Sequence, residues 1–206
     1  MPKRRIFIAI QVPEELKNAA EAYLGPFFND RNTRIPKREG WHITVVFCGY
    51  LDDKEVEVLA GIVKDAYSKF KSFEFAPQKI LFAPQNRPAC NASRSNAGRP
   101  RMIWLTFKNS SQFADLKNEI EDAILSYQAK GLFRSFRQET REPNIHLTLA
   151  RFEEDYFSQI ENILPQEGVD LSKEANPFPI KKIDIMESHL SRKGADYELV
   201  ARIDLK

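Results

Sequence analysis

Cysteine is scarce in this chain: Cys48 and Cys90 are the two among 206 residues. Two thiols are too few for a disulfide framework and lack the paired spacing of a zinc site, so they suit a reducing cytosol. Long apolar runs are missing as well. No stretch approaches the roughly 18 apolar residues of a membrane span. The apolar run after the basic residues of MPKRRIFIAIQVPEEL is short and meets Pro13, Glu14 and Glu15 instead of a small-residue cleavage site, which argues against a signal peptide. Strong charge of one sign is also absent. A formal net charge of +2 is too small to be an electrostatic footprint for nucleic acid, so contact with RNA or DNA would need a local patch. There is no glycine-rich phosphate loop, which removes a dinucleotide-binding fold from consideration. What remains is 42% hydrophobic and 29% charged, the balance of an ordinary globular chain, expected to be cytoplasmic, free of membranes and monomeric.

The elements alternate. Residues 5–12 read as a strand stopped by Pro13, and Leu16, Ala19, Ala20, Tyr23, Leu24 and Phe27 recur at helical spacing. A strand at 42–48 follows, then a helix after Asp52. Strands over 73–83 and 101–107 flank a long polar loop carrying Arg87, Arg94 and Arg99, readable either as solvated surface or as a basic flap over an anionic substrate. Ser110 or Ser111 caps another helix, through Ile124 and Tyr127, and a strand at 145–150 comes next. A short helix near 156–164 and strands at 178–190 and 197–205 finish the chain. Helix followed by strand thus recurs in each half. The expected fold is α+β and bilobal: two pseudo-symmetric lobes of antiparallel or mixed sheet, with outer helices, around a central cleft, all within one domain spanning 1–206.

Two of the strands share a motif. Residues 41–49, WHITVVFCG, and 145–151, IHLTLAR, each place a histidine two before a threonine, 104 residues apart. Successive strand side chains alternate faces, so His42 and Thr44 share one face, and His146 and Thr148 do likewise, each pair roughly 6 to 7 Å apart. With three histidines and five threonines in the chain, two such pairs arise by chance on the order of a few times in a thousand. An imidazole exchanges a proton near neutral pH and a hydroxyl donates to an anionic oxygen. Two facing pairs would therefore supply an acid, a base and anion donors around one phosphate, without a metal or other cofactor.

By strict alternation Ile43, Val45 and Phe47 occupy the opposite face of their strand, and Cys48 shares the parity of His42 at a distance that prevents activation. Arg151 has the wrong parity for the cleft unless a bulge turns it toward a phosphate. Phe7, Trp41, Phe47 and Tyr197 are candidates to stack on a base. His189 lacks a partner threonine and reads as structural.

At these residues the chain resembles the 2H phosphoesterase superfamily, and within it the RNA 2',3'-cyclic phosphodiesterases, or 2'-5' RNA ligase (LigT-like) family. RIFIAIQVP, HITVVFCG, RMIWLTF, HLTLAR and IMESHLSRKGADYELVARIDL carry the likeness along nearly the whole chain. Pro143 stands three residues before the second histidine, where the family commonly has proline immediately before it. The resemblance implies hydrolysis of a terminal 2',3'-cyclic phosphate, on RNA or on a nucleoside, to a 2'-phosphate. It further implies His42 as proton donor, His146 as proton acceptor, and Thr44 and Thr148 as phosphate ligands. Rival readings are 2'-5' RNA ligation, cleavage of 2'-5' oligonucleotides or small cyclic nucleotides, an RNA-end binding module without turnover, and a zinc site needing a third ligand.

Overall fold

The structure, a computed structural model, describes residues 3–70, 72–84, 99–139, 144–191 and 194–204. Arg87 and Arg94 of the polar loop lie outside that range. Strand β1 (Arg4–Gln11) is stopped by Pro13, and helix α1 (Glu14–Glu21) tightens into a 3-10 turn over Ala22–Phe27, where Pro26 cannot continue an α-helix. Strand β2 (Thr33–Arg34) precedes β3 (His42–Leu51). Helix α2 (Asp53–Ser68) begins in a capping box: Asp52 accepts from the Glu55 amide, and Glu55 accepts from the Asp52 amide, both at 2.9 Å. The stretch over 73–83 divides into β4 (Glu74–Phe75) and β5 (Pro77–Ala83), and β6 is Met102–Phe107. Ser110 caps α3 (Ser111–Gln128), accepting from Phe113 N at 3.2 Å. Then come β7 (His146–Phe152), α4 (Phe157–Ile160), β8 (Val169–Asp170), β9 (Phe178–Pro179), β10 (Lys182–Ser191) and β11 (Gly194–Asp204).

The fold is α+β, with pairing that is antiparallel throughout the described strands. The main sheet runs β11-β10-β1-β3-β7-β6-β5-β8, with β2 added alongside β7, and β4 pairs with β9 separately. One half of this sheet, β11-β10-β1-β3, is built from the two ends of the described chain, and the other, β7-β6-β5-β8, from its middle, so the sheet's halves are not the halves of the sequence. They meet at the HxT strands, and β3 pairs with β7 through one residue pair, Ile43 and Leu147. The two sheets expected from sequence are therefore joined by this slender seam.

One face of the sheet carries the main core, packed beneath α2 and α3, with Ile43, Leu105, Leu147, Leu59 and Ile120 all fully buried. The other face bears a small cluster of Phe7, Ala9 and Met186 against Tyr197. This second face is the cleft. Among the described residues no helix is long and apolar enough to cross a membrane.

Candidate active site

The seam places the motifs. Because Ile43 opposes Leu147 in an antiparallel pair, the register sets Thr44 beside His146 and His42 beside Thr148. The histidines lie on one diagonal of this quartet and the threonines on the other. All four line a cleft of about 550 Å³ on the sheet face away from α2 and α3. The structure thus brings together the four motif residues expected from sequence.

The histidines are held alike. His42 Nδ1 lies 2.6 Å from the carbonyl oxygen of Gly40, and His146 Nδ1 lies 2.7 Å from that of Asn144. A carbonyl only accepts, so each Nδ1 carries its proton and donates, leaving Nε2 to exchange protons. Burial lowers both imidazoles from their ordinary value; the backbone carbonyls partly oppose this, and the Arg151 guanidinium adds to it. His146 further lowers His42.

The rings around them differ. His146 stacks on Trp104, with centroids 3.8 Å apart and planes at 21°. His42 packs against Phe7 at 4.8 Å and meets Tyr197 nearly perpendicularly at 4.9 Å. Gly40 permits this close approach, since a Cβ there would stand 2.8 Å from Tyr197 Cδ2. Trp104 escaped the sequence reading because a tryptophan in RMIWLTF looks like core. Its placement follows from cross-strand pairing with Thr148, which no local pattern encodes.

Two expectations based on strict alternation are corrected by paired bulges. Ile8 pairs with Val46 and Ala9 with Thr44, leaving Val45 as an extra residue; Ile103 pairs with Ala150 and Trp104 with Thr148, leaving Leu149 extra. Each bulge falls immediately after the motif threonine and reverses parity beyond it. Phe47, expected on the core face, is 59% exposed and lines the cleft, while Cys48 turns into the core. Burial raises the Cys48 thiol well beyond its ordinary range, so it is inert. On β7 the same reversal brings Arg151 into the cleft. Phe47 and Arg151 stand at equivalent positions, five residues after their respective histidines.

Arg151 is poised for an anion. Its Nη1 donates to Met102 Sδ at 3.1 Å, a weak acceptor, and desolvation, with Arg101 and Arg5 nearby, lowers its pKa. Arg5 and Arg34 also line the cleft, with no aspartate or glutamate among the lining residues described. Tyr197 lines the cleft as expected. Trp41 does not: it is buried, donating from Nε1 to the Pro36 carbonyl at 3.0 Å. Phe7 is 1% exposed and its faces are taken by His42, Phe47 and Tyr197, so it supports the site instead of offering a stacking surface. His189 lies outside the cleft, between Glu187 and Glu198, and Glu187 is already bound by Arg4 at 2.6 Å.

The fold is thus a sheet in two halves with an HxT strand from each at its seam, an arrangement that brings two histidines and two threonines into one cleft. No family model matches the chain. It is similar to the RNA 2',3'-cyclic phosphodiesterase of Methanocaldococcus jannaschii, with 23% identity over 95% of this chain and 98% of that protein. It is also 25% identical to the Bacillus subtilis protein of the same name, over 88% and 89% of the two chains. Among solved structures, TT0787 of Thermus thermophilus superposes with a TM-score of 0.72 at 18% identity, covering 98% of this chain and 97% of that one. Escherichia coli LigT complexed with 3'-AMP superposes at 0.61 with 14% identity, over 100% and 99%. The chain is thus similar along nearly its whole length to proteins named RNA 2',3'-cyclic phosphodiesterase, and it shares the fold of LigT and TT0787.

Proposed function

We propose that the protein is an RNA 2',3'-cyclic phosphodiesterase that opens a terminal 2',3'-cyclic phosphate to a 2'-phosphate. The observation that carries this reading is the pair of Nδ1-anchored imidazoles, both with Nε2 available, in a cleft lined by arginines and by no described carboxylate. Curated relatives bearing that activity in their names, similar along nearly their full length, support it.

In the reaction, His146 Nε2 takes a proton from water as the water oxygen attacks phosphorus. The bond from phosphorus to the 3'-oxygen breaks, and His42 Nε2 gives its proton to that oxygen. Thr44, Thr148 and Arg151 donate to the non-bridging oxygens as charge builds on the pentacoordinate phosphorus. Phe47 and Tyr197 offer rings to the base. One chain supplies both histidines, so one bilobal monomer suffices. The cleft's donor set, two imidazoles with hydroxyls and guanidiniums, fits direct acid-base catalysis better than a metal site, which would need a further ligand.

The test is incubation of an oligonucleotide ending in a 2',3'-cyclic phosphate, with and without a chelator. The expected product is a 2'-phosphate in both cases. Exclusive 3'-phosphate formation, strand joining to a 5'-hydroxyl fragment, or binding without turnover would each replace this reading.

A further inference from the structure

We propose that Arg34, set beside Arg151, forms a second anion site in the cleft, which holds the phosphate on the 5'-oxygen of the terminal nucleotide. The inference rests on the function proposed above and sharpens it: the substrate is a nucleotide continued by a 5'-phosphate, as at the end of an RNA strand, and not a bare nucleoside cyclic phosphate.

The first argument is charge. A cyclic phosphodiester carries one negative charge, whereas the cleft is lined by Arg5, Arg34 and Arg151 with no described carboxylate. Arg5 is already engaged, donating to Ser188 Oγ at 3.1 Å and lying 5.9 Å from the Phe47 ring centroid. Arg34 and Arg151 are more telling. They are register partners across β2 and β7, two like charges directly opposite, an arrangement that is unfavourable without an anion to share. The ion pair of Arg34 with Glu153 spans 3.7 Å, and its side chains are 61% and 76% exposed. Such a pair is weak and readily exchanged for a phosphate, which a guanidinium can grip through two parallel hydrogen bonds.

Space agrees with charge. At Arg34 and Arg151 the cleft continues into a further cavity of about 300 Å³, whose walls also include Asn32, Tyr197, Glu153 and the ion pair of Lys37 with Asp196 at 2.7 Å, so its net positive charge comes from the two arginines. A strand leaving the reacting end through Arg34 has room there. Because, among the described residues, β2 pairs with β7 and no counterpart strand pairs beside β3 at the equivalent place, this second site lies on one side of the otherwise pseudo-symmetric seam, which gives the bound strand a direction.

The experiment compares kcat/KM for a nucleoside 2',3'-cyclic phosphate with a 5'-hydroxyl, its 5'-phosphorylated form, and a dinucleotide carrying either a natural or a neutral methylphosphonate linkage. The 5'-phosphate is expected to raise kcat/KM about tenfold or more, the gain of a charge-assisted contact. In Arg34→Gln that gain disappears while the 5'-hydroxyl compound is turned over within about twofold of wild type. An advantage shared by the charged dinucleotide identifies an RNA strand as the source; one confined to the monophosphate identifies a free nucleotide. Equal slowing of all substrates by Arg34→Gln, or no gain from either the 5'-phosphate or the charged linkage, overturns the proposal. Calorimetry with a nucleoside 2'-phosphate and its 2',5'-bisphosphate reads the same site without turnover. Failure of hydrolysis with a retained Arg34-dependent preference would sink the catalytic reading alone.

Discussion

At the scale of single residues, the anchoring of Nδ1 and the burial of both imidazoles set the pH behaviour. Each histidine is lowered in the folded protein, so the unfolded chain binds the extra proton first. Their contribution to stability is complete above about pH 6.5, the unfolded value, and is lost as pH falls from there through the folded values. Urea unfolding should show a smaller loss between pH 7.5 and 5 in a His42→Asn, His146→Asn double variant than in the native protein. The kinetic sign follows from the same shifts. Because kcat/KM reports the free enzyme, its basic limb should begin below pH 6.5, whereas a bound phosphate anion offsets Arg151 and moves the basic limb of kcat to higher pH. Replacing either histidine by alanine should reduce turnover of a cyclic-phosphate oligonucleotide by about 10²- to 10⁴-fold with the circular dichroism spectrum unchanged. Arg151→Gln should lower kcat/KM by roughly 10- to 100-fold through loss of a charged hydrogen bond.

At the scale of elements, the two bulges decide what faces the cleft. A perfectly regular β3 would bury Phe47, and a perfectly regular β7 would turn Arg151 away; one extra residue after each threonine reverses both. Deleting Leu149 removes the extra residue and leaves Thr148, Ala150 and Arg151 in strict alternation with Arg151 still on the cleft face, so phosphate binding by calorimetry is expected to survive the deletion. The turn into β3 is equally specific. Gly40 supplies the carbonyl that orients His42 and leaves room for Tyr197. Gly40→Ala drives a methyl into the Tyr197 ring, so kcat should fall more than KM rises while the thermal midpoint moves only slightly. Amphipathic spacing and caps made α2 and α3 legible in advance, with Asp52 and Ser110 at their expected starts. The two-residue strands β2 and β8 were not, because two residues carry no period.

At the scale of the whole molecule, function depends on a seam one residue pair wide. Ile43 and Leu147 are each buried to within 1% and join the halves of the sheet. Truncating either to alanine should cost about 2 to 5 kcal/mol in a denaturant titration, and activity should fall beyond what the folded fraction explains, since the histidines approach each other only through this pair. By itself, the sequence determined the α+β class and the shared strand faces of the two motifs, because strand alternation is a local property that sets His42 with Thr44 and His146 with Thr148. Only the tertiary structure decided that Trp104 stacks on His146, that Phe47 and Arg151 enter the cleft, and that Arg34 opposes Arg151. Those relations arise from register between strands distant in the chain, and a single extra residue in one strand reverses every side chain beyond it.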